Sequence, residues 1–141
     1  MKKKRILFCN EASFLNTGYS TYGREVISRL YSTGKYEIAE LSIYCSETDP
    51  RMKNIPWKCY PNHPNSKVKE EVHEFNSKTT NAFGEWRFDD VCLDFQPDIV
   101  VDIRDFWMME FVERSPMRKM FKWVIMPTVD AYPQNEQWIS T

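Results

Sequence analysis

Apolar and polar positions along the chain fall into blocks of two different periods. Ile6-Leu7-Phe8-Cys9 is an apolar run too short for a helix and bounded by polar residues, which predicts a buried strand. A turn segment follows at Asn16-Thr17-Gly18. Tyr19, Tyr22, Val26 and Leu30 then recur at three- and four-residue steps, one face of an amphipathic helix, with Ser20 or Thr21 able to cap its start. Gly34 stands where a helix C-cap glycine belongs. The next block, Tyr36 to Tyr44, has the composition and partial alternation of a second strand. These blocks make a β-α-β unit, whose connecting loop lies at the carboxyl end of the first strand, where open α/β sheets bind ligands.

From about 45 to 80 the pattern dissolves into an irregular insertion punctuated by Pro50, Pro56, Pro61 and Pro64. Within it, Trp57 to Tyr60 reads as a short edge strand between prolines, and Ser66 to Phe75 as a modest helix. Phe88, Val91, Cys92 and Phe95 then step as i, i+3, i+4, i+7, a clear amphipathic helix that Pro97 ends. Ile99 to Ile103 is β-branched and apolar on both faces, as an interior parallel strand should be. A helical piece over about 107–113 comes next. Ser115-Pro116 reads as a capped helix start running to Phe121, and Trp123 to Met126 as a further strand closed by Pro127. Alternating strands and helices predict a doubly wound, mostly parallel Rossmann-like α/β sheet with helices on both faces. The pattern is that of a single domain over residues 1–141.

Composition narrows the function classes. The chain has 141 residues, 42% hydrophobic and 28% charged, which is globular rather than disordered. With 19 basic and 20 acidic residues the net charge is −1, so the concentrated basic excess of a nucleic-acid binder is absent. Lys2-Lys3-Lys4-Arg5 reads as a solubilising flank. No apolar stretch reaches the length of a signal-peptide core or a membrane span, so the expected location is cytoplasmic with no integral membrane segment. Cys9, Cys45, Cys59 and Cys92 lack metal-ligand spacing, and reduced structural thiols with no metal site are expected.

In the usual strand order the first strand and the Ile99 strand are neighbours at the topological switch point. Three loops then share one rim: Asn16-Thr17-Gly18-Tyr19, Arg104-Asp105 and Thr128-Val129-Asp130. Gly18 lets backbone N–H groups approach a phosphate or sugar hydroxyl, or it merely permits a tight turn. Arg104 offers a planar fork to phosphate or carboxylate, or it forms an ion pair with Asp105. Asp105 and Asp130 can accept from sugar hydroxyls, and Asp130 can serve as a catalytic base or only shape its turn. Gly23 suits close helix–sheet packing. His63 and His73 fall in the insertion, where solvated side chains are expected. Gly18 and Gly23 are spaced G-x4-G, which is neither a dinucleotide fingerprint nor a Walker sequence, and no GxSxG elbow occurs.

The opening KKRILFCNEASFLNTGYSTYGREVISRLYSTGKYEIAEL, the segment NAFGEWRFDDVCLDFQPDIVVDIRDFW and the segment WVIMPTVDAYP occur in an order that resembles the N-terminal domain of GT-B glycosyltransferases, specifically the retaining glycosyltransferase family four. The resemblance covers nearly the whole chain apart from the insertion. It implies a domain that handles a small-molecule or glycan acceptor, facing a second domain that binds the nucleotide-sugar co-substrate and carries the family's paired glutamates. No such region occurs within these residues, so the fragment alone is expected to be inactive. Where family members place a histidine after the last strand, this chain has Thr128-Val129-Asp130, which passes that contact to Asp130. The resemblance implies no metal or other cofactor. The competing expectation is a non-catalytic Rossmann-like module that binds a ligand or docks a partner.

Overall fold

The computed structural model describes residues 2–126. Among these residues five strands and four helices follow in the order β1 (Lys4–Glu11), α1 (Gly18–Ser32), β2 (Tyr36–Ile43), β3 (Lys58–Pro61), α2 (Lys69–Asn76), α3 (Glu85–Phe95), β4 (Ile99–Asp102), α4 (Phe106–Glu113) and β5 (Lys122–Ile125). Short 3-10 turns lie at Pro50–Asn54, Thr79–Phe83 and Arg118–Met120. All strand pairs are parallel, in the order β3-β2-β1-β4-β5, so the doubly wound Rossmann-like fold read from the sequence is the fold observed.

The register explains why the chain divides its apolar residues between two faces. Ile6 lies opposite Ile38 and Ile99, and Cys9 opposite Leu41 and Asp102. Alternation then sends Leu7, Cys9, Ala39, Leu41 and Val100 to one face, where Phe88, Val91, Cys92, Phe95, Phe111 and Val112 of α3 and α4 cover them. Ile6, Phe8, Ile38 and Val101 go to the other face, under Ile27, Val26 and Leu30 of α1. All four α3 residues at the predicted spacing are buried, and Phe88, Val91 and Phe95 each contribute about 1.5–3 kcal/mol of apolar transfer. Phe88 sits edge-on to both Phe111 and Phe121, at centroid distances of 5.7 and 5.8 Å, so Phe88→Ala is the single change that would most loosen this layer.

Three local expectations are corrected. The buried stripe of α1 is Ser20, Gly23 and Ile27, and Tyr22 points outward at 49% exposure. Small residues define that contact because α1 lies close to the sheet: a Cβ on Gly23 would come within 3.1 Å of Asn10 Nδ2. The α1 cap is Thr17, whose Oγ1 accepts from Ser20 N at 3.0 Å, while Gly34 takes the left-handed conformation (φ 68°) just past the helix end. Residues after Ser115 form a 3-10 turn, not a helix. Ser115 Oγ accepts from Met117 N at 3.0 Å and donates to Asp89 Oδ1 at 2.5 Å, and β5 begins at Lys122, leaving too few residues to nucleate a helix.

The insertion is docked onto the domain. Asn62 is fully buried; its Nδ2 donates to the carbonyls of Asn81 and Ala82 at 3.0 Å each, and Trp86 Nε1 donates back to Asn62 O at 3.0 Å. Arg87 reaches Glu71 at 3.2 Å, which ties α2 to α3. His63 is therefore half-buried against the rings of Tyr44 and Phe75 instead of solvated, and burial lowers its pKa. His73 is exposed, as the sequence suggested.

Candidate functional site at the switch point

The switch point falls between β1 and β4, which pair directly. Two of the three predicted rim loops meet there. Tyr19 Oη, in the first turn of α1, donates to Asp105 Oδ1 at 2.6 Å across 86 residues of sequence. Asp105 occupies the N-cap position of α4 with its carboxylate turned to Tyr19 and not to its own helix. Asn16, Thr17 and Gly18 are exposed beside this contact, and nothing lies within 4 Å of a Cβ built on Gly18. Packing therefore does not demand glycine at this helix start. Thr128 and Asp130 lie outside the described residues.

Arg104 is corrected. It was expected to present its guanidinium at the rim, or to pair with Asp105. It is 2% exposed and pairs instead with fully buried Asp102, at 2.7 Å from Nε and 2.6 Å from Nη2. It also donates to the carbonyl of Phe83 and stacks 5.3 Å from the Phe111 ring centroid. The cause is strand alternation: Arg104 continues the β4 face of Val100 and Asp102, which looks into the α3–α4 layer. Burial pushes the Asp102 carboxyl up, opposed by the Arg104 charge and by the Trp123 Nε1–H bond. Arg104 thus fastens β4 to the segment before α3 and leaves Asp105 as the polar side chain of that loop at the rim.

Two residues not singled out from the sequence belong at this edge. Glu11 ends β1, half-buried; its pKa is raised chiefly by burial and further by the Asp105 charge, and the Thr17 hydroxyl opposes that shift. Tyr44, just past β2, has φ 64°, unusual for a bulky residue; burial and the Glu11 charge raise its phenol pKa. A carboxylate closing an apolar strand run was the available signal for Glu11. Nothing in the local pattern marked Tyr44.

The loop between β1 and α1 is held from beneath. Glu40, fully buried in the middle of β2, accepts from Ser13 Oγ at 2.8 Å, from Ser13 N and Asn10 Nδ2 at 3.3 Å, and from Cys59 Sγ at 3.2 Å. Arg24 Nη1 donates to Ser13 O at 2.8 Å from the α1 side. Buried networks of this kind hold a loop in one conformation and prepare a site before ligand arrives. The four cysteines are unbonded, and burial raises the pKa of each thiol, Cys45 and Cys92 to about 12, so none is a ready nucleophile. Among the described residues no group of three or more His, Cys, Asp or Glu could hold a metal ion, and no helix is long and apolar enough to cross a membrane.

What the arrangement can do chemically is accept hydrogen bonds. Glu11 and Asp105 offer carboxylate oxygens, and Tyr19 and Tyr44 offer phenols. Compared with models of known protein families and with curated proteins, the chain matches none.

Proposed function

We propose that this chain is the acceptor-side domain of a GT-B glycosyltransferase, one that transfers a sugar from a nucleotide-sugar held by a second domain. The observation carrying the reading is the 2.6 Å bond from Tyr19 to Asp105, which brings two distant loops together at the carboxyl edge of a parallel sheet. Open α/β sheets bind ligands at that place, and carboxylates and phenols are the groups that recognise sugar hydroxyls. In this reading Asp105 and Glu11 accept from acceptor hydroxyls, Tyr19 holds Asp105 in position, and Asn16, Thr17 and Gly18 present backbone to the sugar. Thr128 and Asp130 belong to the same proposal, with Asp130 as the base. Arg104 is withdrawn from the ligand set and kept as a structural tie.

The test is transfer itself. The full product of the gene, supplied with common nucleotide-sugars and a panel of glycan acceptors, should release nucleoside diphosphate in an acceptor-dependent way. Asp105→Ala should reduce that release by at least tenfold without changing the melting temperature by more than a few degrees. Robust turnover by residues 1–141 alone would refute the proposed division of labour, because most transition-state stabilisation is assigned to the other domain. No acceptor-dependent release from any donor would refute the activity and favour a non-catalytic docking module. The inward turn of Arg104, which removes a cation from the rim, is the observation on that side.

A further inference from the structure

A cleft opens at the opposite, amino edge of the sheet, where β1, β2 and β3 begin. It encloses about 620 Å³, within the range of clefts that bury a small organic ligand. Its walls are aromatic: Tyr31 from the end of α1, Tyr36 at the start of β2, and Tyr60 on β3. Tyr31 is 40% exposed and stands edge-on to Trp57 at 5.6 Å, so its ring is presented to solvent and braced from behind.

Apart from the exposed Lys3, the charged groups of the cleft are already neutralised in pairs. Arg5 meets Glu37 at 3.0 Å and donates to Phe95 O at 2.7 Å. Lys58 meets Asp94 at 3.1 Å, and Tyr60 Oη donates to the same Asp94 oxygen at 2.5 Å. Trp57, 8% exposed, also lines the cleft, behind Tyr31, and its ring is buried among Ile6, Phe8 and Ile27.

We propose that this cleft binds a neutral oligosaccharide. A phosphate or carboxylate ligand would find only the exposed Lys3 unpaired, and would have to break the Arg5–Glu37 or Lys58–Asp94 pair before gaining a second cation. Sugar hydroxyls need no such exchange. They donate to the remaining lone pairs of Glu37 and Asp94 and accept from the free ammonium protons of Lys58. The Tyr31 ring covers the apolar face of a pyranose, which has C–H bonds on one side and no charge. The site lies at the far end of the strands from the switch point, so it stands or falls apart from the transfer reading.

The experiment is a titration of the ¹⁵N-labelled 141-residue chain with neutral α- and β-glucans, mannans and N-acetylglucosamine oligomers, each to about 10 mM, a range that detects millimolar binding. The Trp57 indole signal, assigned with Trp57→Phe, is the reporter. At least one neutral sugar should shift it in a saturable way, and Tyr31→Ala and Asp94→Ala should each weaken that binding at least fivefold while the remaining spectrum stays dispersed. Parallel arms use inorganic phosphate and uridine monophosphate. Shifts with these anions alone overturn the proposal, as does the absence of a Trp57 response to every sugar. Undiminished binding by both variants overturns the placement in this cleft.

Discussion

Replacing Arg104 by Met separates a structural role from a ligand-binding one. The side chain is 2% exposed, and Met preserves its apolar stem against Phe111 while removing the guanidinium. What is lost is the ion pair to Asp102 at 2.6–2.7 Å and the bond to the Phe83 carbonyl. Asp102, fully buried, keeps only the Trp123 indole as a partner in that network, so the variant leaves a nearly uncompensated charge in the core. Breaking a buried pair from one side costs about 3–5 kcal/mol. For a chain of this size that corresponds to a melting temperature lower by roughly 10–20 °C. Neutralising the stranded carboxylate should recover much of the loss, and the double variant Arg104→Met/Asp102→Asn is expected within about 1–2 kcal/mol of the parent. Urea unfolding followed by circular dichroism measures all three, with comparable slopes required before midpoints are compared. If Arg104→Met alone stays within about 0.5 kcal/mol of the parent, the range of an ordinary surface substitution, the guanidinium is not an internal tie and the account given for it is wrong.

Three further outcomes follow from single residues. Gly84 has φ 106°, and a Cβ there would lie 2.9 Å from Leu41 Cδ2, so Gly84→Ala should cost about 2–4 kcal/mol in the same unfolding assay; a cost below about 1 kcal/mol would contradict the contact. Gly18→Ala meets no atom within 4 Å and should leave stability unchanged within about 0.5 kcal/mol, yet on the sugar-transfer reading it should raise the acceptor KM; an unchanged KM would remove Gly18 from the site. The His63 pKa is lowered in the folded chain, so the unfolded state binds more protons and stability falls as the pH drops through about 6.5; His63→Gln should flatten that part of the stability profile, and an unaltered profile would exclude His63 as its source.

How far the sequence could be read depended on whether a residue's environment is local. The α3 stripe of Phe88, Val91, Cys92 and Phe95 declared itself because large apolar side chains at helical spacing have one common use. The pairing of the first strand with the Ile99 strand was expected from the usual order of doubly wound sheets, and it is observed. The α1 face was misjudged by a small rotation, because the closest helix–sheet contact is made by Ser20 and Gly23, which carry little hydrophobic signal, whereas the more conspicuous Tyr22 points outward. Arg104 and Glu40 were illegible for a different reason. Each is charged, and its burial is tolerated only because partners from other elements, Asp102 and Phe83 for one, Ser13, Asn10 and Cys59 for the other, arrive through the tertiary fold. The same holds for the site. The Asp105 loop could be placed at the rim from topology, but its bond to Tyr19 is a matter of ångströms that no spacing encodes.

The taper of the sheet has a consequence for how the molecule behaves in a crowd. Among the described residues its two eight-residue strands, β1 and β2, are interior, while the flanks, β3 and β5, run only four residues each. Each flank opens on a lysine, Lys58 or Lys122, and β3 finishes at Pro61, which has no N–H to give a neighbour. A second chain trying to extend the sheet would find a short, charged ledge on either side. At high concentration the protein should therefore resist strand-by-strand polymerisation, and its long, sticky strands stay out of reach as long as the native state holds.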